Sequence, residues 1–169
     1  MISTVLFSLQ QAALGALKAD AFYDGTLSAN KQPIPIVTES HGSIVQDIEL
    51  ALAKVGICAL LITPTIDFHA PNTQDASGFA KLNVALYEDA PINQGNGGTG
   101  IQIAQLAEAT VMILHWYQHG CYTAGVAQEP TAATRFLALT SPIEFQSPGP
   151  PLQYNVAFQA HVTLNPQYS

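Results

Sequence analysis

Apolar residues recur at three- and four-residue spacing in Leu6, Leu9, Ala13, Ala16 and Leu17. That spacing lays one stripe along a helix over residues 3–21, and Tyr23-Asp24-Gly25 ends it. Pro33-Ile34-Pro35-Ile36-Val37-Thr38 carries two prolines, which restrict it to a short edge strand or an extended segment. Ser43 followed by Gln46 forms a capping-box pattern ahead of the stripe Ile44, Ile48, Ala51, Leu52 and Val55. Gly56 stands where helices commonly end in a left-handed residue, so the pattern predicts a helix over 43–55. The apolar run 57–63, bounded by Gly56 and Pro64, reads as a central strand buried on both faces, and 65–68 extends it past a proline kink.

Residues 69–78 are rich in turn formers. In 79–88, Leu82, Val84 and Leu86 alternate with Lys81, Asn83 and Tyr87, the period of a strand. A glycine-rich loop follows, and Thr99 with Gln102 makes a second capping-box pattern, opening a helix predicted over 100–119 and stopped by Gly120. Residues 121–132 read as a loop, and 136–144 as a strand broken near Ser141-Pro142. After the proline-rich turn 147–151, residues 152–164 show the clearest alternation in the chain. Leu152, Tyr154, Val156, Phe158, Ala160, Val162 and Leu164 share one face; Gln153, Asn155, Gln159, His161 and Thr163 share the other, with Ala157 among them. Helices and paired strands interleave without regular βαβ alternation. The fold class this predicts is α+β: a mixed, mostly antiparallel sheet of four to five strands with about three helices packed on it, in a single domain over 1–169.

Composition sharpens the picture. Of 169 residues, 48% are hydrophobic, which excludes disorder, yet only 10% are charged, well below the ~25% of ordinary soluble domains. The surface is therefore polar but uncharged, which favours burial in an assembly. Five basic against twelve acidic residues give a net charge of −7, which excludes tight binding to nucleic acid. The start of the chain lacks a basic residue before Lys18 and is interrupted by Gln10-Gln11, so no signal peptide is expected; no apolar run approaches a membrane span. Cys58 and Cys121 make no disulfide framework, and an intracellular setting is the default expectation.

Candidate chemistry is sparse. Gly95-Asn96-Gly97-Gly98-Thr99-Gly100 spells G-x-G-x-x-G between a strand and a helix, where glycines could admit a pyrophosphate to a helix N-terminus. The loop is too long for the dinucleotide fingerprint, no acidic partner follows about 20 residues on, and no Lys-Ser/Thr makes a P-loop. A flexible connector is the preferred reading. His115 and His119 stand at i and i+4, a spacing zinc can bridge, but Trp116 occupies the place of the metalloprotease Glu. Glu88-Asp89 point to opposite faces of a strand end, which suits loop capping or an inter-subunit role better than shared proton chemistry. Neither Ser43 nor Ser77 sits in a nucleophile elbow, and Arg135 is the sole arginine. No catalytic residue, cofactor or metal is expected.

The stretch from Leu82 through Tyr87-Glu88-Asp89 to Asn93-Gln94-Gly95, followed by an Ala-rich helix with Ala104, Ala107, Ala109 and a late Trp116, resembles the tail-terminator and tail-completion proteins of long-tailed phages and prophages. The closing strands resemble that family's C-terminal hairpin. Asp89 and Gln94 depart from its usual Asn and basic residue. The resemblance implies a non-enzymatic virion protein, assembled in the bacterial cytoplasm. It would form a homomeric, often six-fold ring joining the tail tube to the head-side connector; the net charge of −7 adds the expectation of an acidic lumen through which DNA passes without sticking. Another connector, neck or baseplate module is the nearest alternative; a small nucleotide- or ligand-binding enzyme domain using the 95–100 loop is the alternative of a different class. Contacts between copies and with other tail or connector proteins are expected from Asp89, Asn93, Gln94 and Asn96 in the loop, Asn72 and Gln74 in the 69–78 turn, and Gln153, Asn155, Gln159 and His161 on the final strand. Removing 92–97 is expected to spare the fold but abolish assembly.

Overall fold

The computed structural model describes residues 5–39, 42–68, 76–115, 121–123, 126–128, 138–139, 143–147 and 149–164. Helix α1 (Val5–Lys18) is followed by the edge strand β1 (Ile36–Val37), helix α2 (Ile44–Val55) and strand β2 (Ile57–Leu61). Next come β3 (Thr65–Phe68), β4 (Ala76–Glu88), the single turn α3 (Ala90–Asn93) and α4 (Ile103–Leu114). A small hairpin, β5 (Cys121–Thr123) and β6 (Val126–Gln128), precedes β7 (Ala138–Leu139), β8 (Glu144–Ser147) and β9 (Leu152–Leu164).

The sheet runs β1-β2-β4-β9-β7, with β3 also on β4 and β8 also on β9. β2 and β3 lie one after the other along the same edge of β4, and β8 and β7 do the same along β9. The sheet is therefore five strands wide, as the sequence pattern predicts, and each predicted proline break separates two strands of one row. β1 pairs parallel to β2 through the α2 crossover; every other pairing in this sheet is antiparallel. Its centre is the β4–β9 ladder, in register from Ala76↔Leu164 to Glu88↔Leu152.

Two layers follow from side-chain parity. Ala80, Leu82, Val84 and Leu86 of β4 and Val156, Phe158, Ala160 and Val162 of β9 point to one side. There they form the core with Leu9, Ala13 and Leu17 of α1 and Ile103, Leu106, Ala107 and Leu114 of α4. Cys58 and Leu60 of β2 point to the other side, where α2 buries Ala51 and Val55. Tyr23, packed under α1, hydrogen-bonds Thr110 of α4 at 2.7 Å and joins the two core helices.

Local signals set the ends of α2. Ser43 accepts the Gln46 N–H at 3.4 Å, and Gly56 caps the other end in the left-handed region at φ 77°. Elsewhere the boundaries move. α1 stops at Lys18 and gives way to turns, β4 begins at Ala76 inside the predicted turn, and β5–β6 form a hairpin where a loop is predicted. α4 starts three residues late because Gln102 caps it, its N–H bonding Gln105 Oε1 at 3.0 Å. Thr99 faces inward instead. The predicted end of this helix, residues 116–119, lies outside the described residues.

Candidate functional site

Two surfaces carry the residues singled out by sequence: the 89–100 loop and the outer face of the β4–β9 ladder. The loop is built around two buried polar side chains. β4 ends at Glu88, only 3% exposed, whose Oε2 accepts the Ile103 N–H at 3.0 Å at the start of α4. Its Oε1 accepts the Asn93 amide at 2.6 Å and the Gln94 amide at 3.1 Å. Asn93, fully buried, also donates to Ile101 O at 2.7 Å, and its Oδ1 accepts both the backbone N–H (3.2 Å) and the hydroxyl of Thr99. Asp89 caps α3 by accepting the Ile92 N–H at 3.4 Å, while its own N–H donates to Gly56 O at 2.8 Å.

The glycines serve this packing. A Cβ on Gly56 would overlap the Asn93 backbone nitrogen, and one on Gly98 would overlap the Asn93 carbonyl. From the other side, Ala29 N–H bonds Thr99 O at 2.8 Å and the Asn30 amide bonds Gly97 O at 2.7 Å. The loop is thus a fixed knot, which corrects the reading of 95–100 as a flexible connector. The place a bound phosphate would take at the N-terminus of α4 is held by the Glu88 side chain, which already takes the Ile103 N–H. Of the two roles expected of Glu88 and Asp89, loop capping is one that both perform.

Asn93 therefore cannot serve as a contact residue, because its whole side chain is spent inside the chain. Excision of 92–97 would remove this plug, which overturns the expectation that the fold survives it. Gln94 is exposed but tied through its amide to Glu88; Asn96 is exposed at the loop tip, and Asp89 is half-buried. Asn72 and Gln74 lie outside the described residues.

On β9, Gln153, Asn155, Gln159 and His161 stand half-buried on the face turned away from α4. The His161 ring meets Phe79 of β4 edge-on, with centroids 5.6 Å apart and planes at 81°. The same face carries Asn83 and Lys81, both exposed, and Lys81 forms an ion pair with Asp67 of β3. α2 covers this side of the sheet over β1 and β2, so the ladder beside it is a polar shelf of low charge.

No group of three or more metal-ligating side chains occurs among the described residues. His115 caps the C-terminal end of α4, whereas His119 and Arg135 lie outside the described residues. Burial pushes the Cys58 thiol up to about 12, so it stays protonated and unreactive near neutral pH. No described helix is long and apolar enough to cross a membrane. Sequence reading missed a second polar tie. Gln10, 4% exposed, donates to Leu61 O at 3.2 Å and to Glu39 Oε2 at 2.9 Å. Glu39 Oε1 accepts the Thr63 N–H at 3.0 Å, securing the break between β2 and β3. A Gln in an apolar helix stripe was the signal available.

No protein-family model and no curated protein matches the chain. Among solved structures, it is similar to a chain from the virion of a native gene transfer agent particle. The two are 16% identical, and the alignment covers 95% of this chain and 98% of that one with a TM-score of 0.58, so they share a fold along nearly their whole lengths.

Proposed function

We propose that the chain is a structural subunit of a phage-type particle, with no turnover and no cofactor. The observation that carries this reading is the end-to-end fold likeness to a gene transfer agent virion component. The finer role we assign is a tail-terminator or tail-completion ring that joins the tail tube to the head-side connector. The sequence resemblance around 82–95 and the late helix supports it. The ring contacts fall to Asp89, Gln94 and Asn96 at the loop, Asn72 and Gln74, and the polar β9 side chains Gln153, Asn155, Gln159 and His161. A heterologous contact of this kind closes when its rotation does. The net charge of −7 favours a lumen through which DNA slides without adhering.

Light scattering behind size exclusion, with negative-stain imaging of the same fractions, tests the reading. A closed ring is expected, six-fold by the resemblance. A strict monomer at all accessible concentrations would overturn it.

A further inference from the structure

Among the described residues, the side of the sheet that carries α2 is half-covered. α2 lies over β1 and β2, yet on the adjoining strands Lys81 and Asn83 are exposed, with Ala85, Tyr87, Asn155 and Ala157 half-buried around them. An antiparallel sheet can leave one face in water, but such a face is ordinarily well charged. Here Lys81 is the one charged residue on the described β4–β9 face, leaving His161 aside, with Asp67 of β3 and Glu144 of β8 at its two flanks.

α2 has the opposite surplus. Its outward arc carries Val45 at 68% exposure and Leu50 at 61%, with Ala53, Gln46, Glu49 and Lys54 between and beside them. We propose that this outward arc of α2 seats on the uncovered β4–β9 face of a second copy of the chain.

Three features select that occupant. The first is spacing. Moving from the β1–β2 position to the β4–β9 position crosses two strand intervals, about 10 Å, which matches the ~8–10 Å between packed helices. A second α2 would lie beside the first and complete the helix layer. The second is length: twelve residues of α2 span ~18 Å, well within a ladder of thirteen residue pairs. The third is charge. Of the chain's five basic residues, Lys54 lies on the helix patch with Glu49 and Asp47, and Lys81 lies on the sheet patch with Asp67, Glu144 of β8 standing at the position paired with Asn155. An acid of each patch can thus face the base of the other, Glu49 toward Lys81 and Asp67 toward Lys54. The patches differ, so when the rotation between copies is other than two-fold, a copy that offers its helix keeps its own sheet face open for the next, and the contact repeats around a ring.

This inference rests on the reading that copies associate, and the test separates the two. Leu50→Cys and Asn83→Cys, each in a Cys121→Ser background, place thiols on the two exposed patches. The inference expects a disulfide-linked dimer when the variants are mixed under mild oxidation, and markedly less from either alone. Leu50→Glu should weaken association at least ten-fold, whereas Leu27→Glu, at a leucine 53% exposed and off both patches, should not. A wild-type oligomer that yields no mixed disulfide and ignores Leu50→Glu would overturn the helix-on-sheet contact and leave the ring standing. A wild-type monomer would overturn both.

Discussion

Asn93→Ala is the perturbation that weighs the loop knot most directly. The wild-type side chain satisfies Glu88 Oε1, Ile101 O, and the N–H and hydroxyl of Thr99 from a position with no solvent exposure. Alanine removes all four bonds and takes from the Ile101 carbonyl and the Thr99 N–H the partner that Asn93 supplies. At about 1 kcal/mol net for each of the four bonds, the loss is ~4 kcal/mol. Against the ~5–15 kcal/mol that holds a domain together, that is severe, and at ~2–4 °C per kcal/mol for this size it lowers the melting temperature by ~10 °C. Urea unfolding followed by circular dichroism supplies the number, with Asn96→Ala as the matched control. Asn96 is exposed three residues further on, and its loss should cost no more than ~0.5 kcal/mol. If Asn93→Ala unfolds within 1 kcal/mol of wild type, or Asn96→Ala costs as much, the loop does not depend on the plug and the reasoning fails.

Gly56→Ala should cost ~2 kcal/mol or more, because the left-handed backbone and the overlap with Asn93 act together; Gly15→Ala, on an exposed turn of α1 with nothing within 4 Å, should stabilise by up to ~1 kcal/mol in the same melting assay. ATP or NAD at millimolar concentration should leave the melting temperature unchanged, since Glu88 holds the helix N-terminus; a site filled at 100 times its Kd would add ~2.7 kcal/mol and be plain to see. In a Cys121→Ser variant at pH 8, Cys58 should resist an aromatic disulfide reagent until urea unfolds the chain. Folding holds the Cys58 thiol near 12 against an ordinary 9 and raises Tyr87 as well, so between those values the unfolded chain binds fewer protons than the folded one. Stability should therefore fall as pH climbs above 9, with a shallower slope in Cys58→Ala; a flat profile in wild type would contradict the assigned burial.

What sequence could reveal here follows the range of the interactions involved. Ser43 and Gly56 define α2 because a cap acts within one turn, and the prolines near 64 and 142 mark strand breaks because a missing N–H cannot join a ladder. Alternation over 152–164 identifies the buried face of β9 residue by residue. Reading failed where a distant group intervened. Thr99 looks like a helix cap, but Asn93 captures its hydroxyl, so the helix begins at Ile103 instead. The glycines at 95–100 look like a phosphate cradle until Glu88, fifteen residues before Ile103, is seen to fill it. Gly78 reads as turn punctuation, although it lies within β4 where a Cβ would overlap the Asp67 carbonyl oxygen. None of these partners is adjacent in sequence, and no periodicity encodes them.

The β4–β9 ladder joins segments between 64 and 88 positions apart, so the widest pairing in the molecule is also among its most remote. Remote pairing is slow, because the intervening chain must be gathered before any bond rewards it. During synthesis, β4 emerges from the ribosome long before β9 exists, and its inward leucines must wait for Phe158 and its neighbours. A nascent chain halted before residue 152 has one flank of its longest strand unpaired, an invitation to chaperones. Release of a subunit fit for assembly is thereby deferred until translation has passed residue 164.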